Sequence, residues 1–253
     1  MTNSAIYPSL AGVSVAISGG ASGIGEALVR NFAAQGAKVG FVDIWQERGE
    51  QLATELISVG HSVRFEHCDI TDIGAYQTAL EALAAAHGDI LVLINNAGHD
   101  ERHDWPEVTP NYWDERMATN LKHSFFAIQA VAPGMIKAGR GSIINAGSIS
   151  WKILVPRLPI YETAKAAAHG LTRSMARELG RHGVRVNTLV PGWVMTDRQL
   201  AHWVGPAAEA LIDSSQALAG RVYPDDVAAL FLASEDSSMV SAQQFLVDGG
   251  WAN

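Results

Sequence analysis

The chain has 253 residues with 18 basic and 26 acidic side chains, a formal charge of −8, so neither nucleic acid nor an anionic membrane surface is its expected main partner. With 48% hydrophobic and 17% charged residues it can bury a full core as one domain, which excludes whole-chain disorder. The single cysteine excludes an intramolecular disulfide, no apolar run approaches the roughly 18 residues of a spanning helix, and MTNSAIYPSL lacks the regions of a signal peptide; a soluble cytoplasmic protein is expected.

Seven short runs rich in β-branched residues, at 13–17, 38–42, 63–67, 90–94, 142–146, 184–189 and 244–247, alternate with longer helical patterns. ILVLI at 90–94 is apolar on both faces, as expected of a parallel strand covered by helices on both sides. Between the first two runs Ile24, Leu28 and Phe32 recur every four residues, which predicts a helix over 24–35 with Gly36 as its stop. Cys68 reads as a small apolar residue near a strand end. The sustained alternation, with no linker or repeat, predicts one doubly wound α/β domain over 1–253. The segment 191–222 departs from the rhythm and is expected to place a loop and short helices over a site at the carboxyl edge of the sheet, as a substrate loop.

Directly after the first run, Ser18-Gly19-Gly20-Ala21-Ser22-Gly23-Ile24-Gly25 enters a helix. Gly19 permits a tight turn, Gly23 lets backbone approach a pyrophosphate, Gly25 allows close helix packing, and the helix N-terminus offers free N–H groups to the anion. Asp43, 18 residues beyond Gly25, can accept from adenosine ribose hydroxyls and repel a 2′-phosphate. Ile44, Trp45 and Gln46 follow it and Arg48 is the nearest base, so the pattern predicts NAD over NADP; a solvated strand-end Asp is the competing reading. Asp69 either meets the adenine amino group or caps a helix. Asn95-Asn96-Ala97-Gly98 either lets a nicotinamide ribose lie close to backbone or is a plain turn.

Tyr161-Glu162-Thr163-Ala164-Lys165 carries the most chemistry, because residues i and i+4 share a helix face and a nearby ammonium lowers a phenol pKa toward a working base. Ser148, thirteen residues upstream and just after the fifth run, is placed to meet Tyr161, with Ser150 as a rival. Asn120 lies inside the apolar-patterned stretch 112–136. Its amide points to solvent, caps a break, or holds a water that continues a proton path from Lys165.

In order and spacing, SGGASGIG (18–25), NNAG (95–98), Asn120, Ser148, YETAK (161–165), PG (191–192) and DGG (248–250) make the chain resemble the short-chain dehydrogenase/reductase family over essentially its full length. The resemblance implies a Rossmann-type, seven-stranded parallel sheet, NAD(P)-linked hydride transfer, and a tetrad of Asn120, Ser148, Tyr161 and Lys165. Tyr161 takes the substrate proton, Ser148 fixes the same oxygen, Lys165 holds the nicotinamide ribose, and Asn120 connects the pair to solvent through water. The cofactor is expected on Gly19, Ser22, Gly23, Ile24 and Gly25, then Asp43, Asp69 and Ile70, then Asn96, Ala97 and Gly98. Its nicotinamide end is expected near Tyr161, Lys165, Pro191, Gly192, the Val194 backbone and the Thr196 side chain. Ser18 departs from the family's usual threonine but keeps the hydroxyl. No metal is required, and His99-Asp100-Glu101-Arg102-His103 reads as a loop lining a polar pocket. The family also implies a homotetramer, with the segment 248–251 reaching a neighbouring subunit.

The pocket segments 99–103, 150–152, Arg157 and 193–203 mix polar groups with tryptophan. An indole suits the C–H face of a pyranose, whereas an acyl chain calls for aliphatic walls. Trp105 and Trp113 read as packing between helices. Stretches outside the catalytic core, SAIYPSL (4–10), DERH (100–103), YWDER (112–116) and QAVAPGM (129–135), together with GSISW (147–151) and YETAKA (161–166), are similar to the family's aldose 1-dehydrogenases. That likeness implies NAD-dependent oxidation of C1 of a pentose or 6-deoxyhexose to the aldonolactone, with D-xylose, L-arabinose and L-fucose all open and D-galactose behind them. Sugar contacts are expected from Arg102, Ser148, Ser150, Trp151, Tyr161 and Trp193. The rivals are a ketone or 3-oxoacyl reductase, which usually works with NADPH and wants a base near Asp43, and a non-catalytic nucleotide-binding regulator, which has little reason to keep the whole tetrad.

Overall fold

The structure is a computed structural model that describes residues 5–227 and 229–252, so Ser4 of the 4–10 stretch and the three residues before it lie outside the described residues. The expected strands form within two residues of their predicted ends: β1 (Ser14–Ser18), β2 (Lys38–Asp43), β3 (Val63–His67), β4 (Val92–Asn95), β5 (Gly141–Ala146), β6 (Val184–Pro191) and β7 (Gln244–Val247). They pair in parallel in the order β3-β2-β1-β4-β5-β6-β7. The helices follow as α1 (Gly23–Ala34), α2 (Gln46–Ser58), α3 (Ile73–His87), α4 (Pro110–Met117), α5 (His123–Ala138), α6 (Ser150–Ile153), α7 (Pro159–Leu179), α8 (Asp197–His202), α9 (Pro206–Ser215) and α10 (Leu230–Ala233).

The two-residue period of a strand divides the core between the sheet's faces. Val15 and Ile17 of β1 pack with Leu28, Val29 and Phe32 of α1 and Leu52 and Leu56 of α2. Ala16, pointing the other way, joins Tyr76, Leu80 and Leu83 of α3 and Ile128, Val131 and Met135 of α5. Each such fully buried large apolar side chain contributes about 1.5–3 kcal/mol. The helix expected over 24–35 ends as predicted, with Gly36 at a φ of +75° just past it. Cys68 is buried among Val42, Ile70 and Tyr76.

Two expectations need correction. Trp105 and Trp113 do not pack between helices but are 76% and 42% exposed. Trp105 opens a one-turn 3₁₀ helix on a surface loop, and Trp113 lies on α4, which buries none of its residues. Apolar character alone does not decide burial where an element is too short to cover the sheet.

The strand order reverses at β1, which lies between β2 and β4, so the crevice for a ligand opens at the carboxyl ends of those strands. Segment 191–222 crosses above it as α8 and α9, closed at its base by a bridge between Val194 and Val222.

Candidate active site

A cavity of about 1180 Å³ occupies that crevice, walled by the segments leaving β3, β2, β1, β4, β5 and β6. At its centre Gly19 has a φ of +68°, and a Cβ there would stand 2.9 Å from the Ala97 Cα. A Cβ on Gly25 would stand 1.7 Å from the Gly19 carbonyl oxygen, so the first turn of α1 lies directly on the loop. The Ser18 hydroxyl accepts from the Asn96 and Ala97 N–H groups, both at 3.1 Å, while the Asn96 amide donates to the Ser18 and Gly19 carbonyls at 3.0 and 3.1 Å. The glycine-rich turn and the NNAG turn are thus one hydrogen-bonded unit. Serine fills the role its hydroxyl predicts.

Ser22 makes no capping bond with its side chain, and it lines the cavity with Gly23 and Ile24 beside the unpaired N–H groups of the first turn. The Asp43 carboxylate accepts from the Ala21 N–H at 2.9 Å and the Trp45 N–H at 3.0 Å, which fixes it at the cavity wall with lone pairs to spare. Arg48 also reaches the wall, its guanidinium carbon 5.0 Å from the Trp45 ring centre. Asp69 and Ile70 line the cavity as well. Asp69 accepts from the Thr71 N–H and hydroxyl, and the cap of α3 is Asp72, which takes the Ala75 N–H at 3.0 Å. An anion cradle with no room for side chains, followed by a fixed carboxylate at the end of β2, fits a dinucleotide.

A buried polar ladder sets α7. Asn95 donates to Asn145 at 2.8 Å, Asn145 to Thr172 at 2.9 Å, and Thr188 to Thr172 at 2.8 Å, joining β4, β5 and β6 to α7. Nothing in local spacing announces this strut, because its four members lie on four elements. It holds Tyr161 and Lys165, on the first turns of α7, over the carboxyl ends of β4 and β5. The Lys165 ammonium donates to the Ala146 carbonyl at 3.0 Å and lies 5.6 Å from the Tyr161 ring centre. The Ser148 hydroxyl lies near enough to the Tyr161 phenol to favour its ionised form, and its own oxygen accepts from the Ser150 N–H at 3.1 Å. Ser148 therefore faces the tyrosine, whereas the Ser150 hydroxyl is buried without a partner at the cavity wall.

Burial pushes the Tyr161 phenol above its ordinary range, the Asp100 carboxylate adds to the rise, and the neighbouring Ser148 hydroxyl opposes it. Burial pushes the Lys165 ammonium down to about 8, against the pull of Asp100. The i,i+4 spacing brings the cation to the phenol, but the net shift of the phenol is upward, not downward. Desolvation outweighs the pairing.

Asn120 sits on a π turn, Ala118–Lys122, that joins α4 to α5. Its side-chain oxygen accepts from the His99 N–H at 2.8 Å, and its amide donates to the His99 and Arg116 carbonyls at 3.2 and 3.0 Å. The break-capping alternative therefore describes the side chain, whose bonds are spent on backbone. It anchors the NNAG loop beside Lys165, whose Nζ would be 3.1 Å from a Cβ on Gly98.

At the other end of the cavity the walls are Asp100, Arg102, Trp193, Arg198, Gln199 and His202, beside Pro191, Gly192, Val194 and Thr196. Arg102 stacks on Trp203 with its guanidinium carbon 4.0 Å from the ring centre. Trp193 donates from its indole N–H to Gln199 at 3.1 Å and stacks on Trp251 with ring centres 6.4 Å apart. The terminal segment thus folds back on its own chain, turned by Asp248 accepting from the Gly250 and Ala252 N–H groups. Trp151 is not on the cavity wall; the Lys152 ammonium lies 4.8 Å from its ring centre. The loop over 99–103 is tied to Arg116, which bonds both His99 and Glu101. Among the described residues no group of three or more His, Cys, Asp or Glu side chains could hold a metal ion. Arg116 was not legible as a site residue, since it acts through a contact between distant segments; Trp203 fell inside the expected pocket stretch 193–203, but its stacking on Arg102 was not legible.

A family model described as enoyl-(acyl carrier protein) reductase matches residues 19–252, from the glycine-rich turn to the terminal segment. The chain belongs to the short-chain dehydrogenase/reductase family. This short-chain dehydrogenase/reductase is 48% identical to the D-xylose 1-dehydrogenase of Caulobacter vibrioides, over 98% of this chain and 99% of that one. It is 40% identical to the protein named "Probable galactose dehydrogenase GalD" of Rhizobium meliloti, over 96% of each chain. Among solved structures it is similar to a gluconate 5-dehydrogenase of Burkholderia cenocepacia in complex with NADP and tartrate, with a TM-score of 0.89, 31% identity, and 96% and 97% of the two chains covered. A nicotinamide dinucleotide is the cofactor of short-chain dehydrogenase/reductases, and the cradle here fits one.

Proposed function

We propose that the chain oxidises C1 of a cyclic aldose, a pentose or 6-deoxyhexose, to the aldonolactone with NAD. The observation that carries this reading is the substrate end of the cavity, where carboxylate, guanidinium, amide and indole groups surround the space beside Tyr161 and Ser148. Sugar hydroxyls need such partners and an acyl chain does not. The likeness to sugar dehydrogenases at 48% and 40% identity supports the same substrate class.

Tyr161, as phenolate, takes the proton of the anomeric hydroxyl, and Ser148 hydrogen-bonds the same oxygen so that it cannot turn away. When bound, the cofactor supplies the acceptor for the hydride that leaves C1, and a positive charge that favours the phenolate. Lys165 adds its ammonium to the same task and, through Ala146, is fixed in place. C1 then carries a carbonyl next to the ring oxygen, which is the lactone. Arg102 and Trp193 stand at the substrate end as sugar contacts.

The fixed Asp43 carboxylate supports NAD, since a 2′-phosphate would meet like charge. Arg48, stacked on Trp45, is the one nearby base on the wall, and it lies five residues from Asp43. The test is a panel of aldoses with NAD and with NADP, followed by absorbance of the reduced nicotinamide. Saturable turnover of one or two sugars is expected, with kcat/KM higher for NAD. Equal or higher kcat/KM with NADP would overturn the cofactor choice, and turnover of a ketone with reduced cofactor but of no sugar would overturn the substrate class.

The proposed assembly is a homotetramer in the cytoplasm. Phe125 and Ile136, eleven residues apart and so on one face of α5, are exposed, as is Trp113 of α4, apolar side chains that a second subunit would cover. Among the described residues no helix is long and apolar enough to cross a membrane. Light scattering is expected to give a mass near four times the 27.0 kDa of the chain; a mass equal to one chain would contradict the assembly.

A further inference from the structure

Asp100 stands in the loop after β4, on the cavity wall, with its side chain 22% exposed. One carboxylate oxygen accepts from Arg198 Nε at 3.2 Å and the other from Gln199 Nε2 at 2.7 Å. Both donors belong to α8, so two bonds from across the cavity fix the carboxylate's orientation. A carboxylate has about four lone-pair positions, and two are still open here. The other end of the Gln199 amide accepts from the Trp193 indole, which is itself stacked on Trp251. Carboxylate, amide and indole form one braced wall.

Pairing with Arg198 accounts for one of the two bonds and for part of the charge. The carboxylate also opposes ionisation of Tyr161, the group that must become a base, so holding α8 comes with an electrostatic cost at the reacting end. The charge has a use if it meets something that donates.

We infer that Asp100 is a specificity-determining residue of the site, its carboxylate accepting from a non-reacting hydroxyl of the sugar while Arg198 and Gln199 hold it in place. The inference rests on the aldose reading above. A hydroxyl on a carboxylate is a charge-assisted bond, stronger than a neutral one. An analogue that lacks the hydroxyl leaves the fixed carboxylate unmatched, and sites built to bond a hydroxyl reject such analogues far more strongly than apolar pockets reject a methyl.

The test compares the full-length wild-type protein with Asp100→Asn and Asp100→Glu, using the best aldose and its 2-, 3- and 4-deoxy analogues. KM for cofactor and the pH profile of kcat are measured alongside. Wild-type protein is expected to disfavour one deoxy analogue by about 100-fold in kcat/KM. Asp100→Asn should raise the sugar KM about tenfold or more, leave the cofactor KM within about twofold, and bring that discrimination close to one. It should also move the acid limb of kcat to lower pH, because the phenol loses a neighbouring negative charge whatever the carboxylate binds; loss of the discrimination between sugar and deoxy analogue is the readout that a merely structural contact would not give. Asp100→Glu should keep the acid limb and lose the discrimination, since the charge stays and its position changes. If either variant folds, binds cofactor normally and keeps every discrimination ratio within about twofold of wild type, the inference is overturned. Wild-type protein that oxidises no aldose would instead overturn the aldose reading itself, before any variant is compared.

Discussion

Tyr161→Phe is expected to lower kcat by about 10³- to 10⁴-fold while cofactor affinity changes by less than about threefold, the upper part of the range for removal of a general base. The ring stays, so the packing of α7 and the contact with the Lys165 ammonium persist. What goes is the oxygen that stands beside Ser148 and can take the anomeric proton. Because burial and Asp100 both push the wild-type phenol up, activity should rise with pH as the phenol ionises and should not show a base titrating in the acid range. Steady-state kinetics with calorimetric cofactor binding checks both parts. A variant retaining more than a tenth of wild-type kcat would place the base elsewhere. Cofactor binding retained with turnover gone would also exclude the non-catalytic regulator.

The second large effect runs in opposite directions for activity and stability. Lys165 is buried, and its ammonium is held near 8, below the ordinary lysine value of 10.5. At pH 7 the group is charged in both the folded and the unfolded chain, so the whole cost of burying the charge is present, about 3 kcal/mol at ~1.4 kcal/mol per pKa unit. As pH rises from about 8 to 10.5 the folded protein sheds that proton before the unfolded chain does, and the cost fades. Lys165→Met removes the charge but leaves the Ala146 carbonyl without its donor, a loss of roughly 1 kcal/mol. The net expectation at pH 7 is a gain of about 2 kcal/mol, a few degrees in Tm, with kcat lowered about 100-fold or more. Thermal melts from pH 7 to 10 decide it: wild type should approach the variant as pH rises. A variant that melts below wild type at pH 7 would show that the buried ammonium stabilises the fold.

Much of this architecture is local and therefore legible. The strand runs, the helix over 24–35 with its Gly36 stop, and the pairing of Tyr161 with Lys165 follow from periods of 2 and 3.6 and from glycine chemistry, all contained within windows of a few residues. Contacts between distant segments were not legible. The Asn95–Asn145–Thr172–Thr188 ladder spans four elements. The expected sugar contact Trp151 lies off the cavity wall, and Trp203, in the expected stretch 193–203, lies behind the wall residue Arg102, on which it stacks. Composition named the pocket's ingredients without their positions. The break at Asn120 was hidden because α4, the π turn and α5 continue one another, so the apolar pattern runs through it. The direction of the Tyr161 shift was misjudged because spacing reports the nearby ammonium and says nothing of desolvation or of Asp100.

The central claim is that this site removes hydride from C1 of an aldose as Tyr161 removes the proton from the oxygen on that carbon. The most direct test uses the sugar that turns over fastest in the panel, labelled with deuterium at C1, with NAD as oxidant and mass spectrometry of both products. The account predicts deuterium in the reduced nicotinamide and an aldonolactone, or its hydrolysed acid, free of label at C1. Reduced cofactor without deuterium, or a product oxidised at another carbon with the label still on C1, would contradict it.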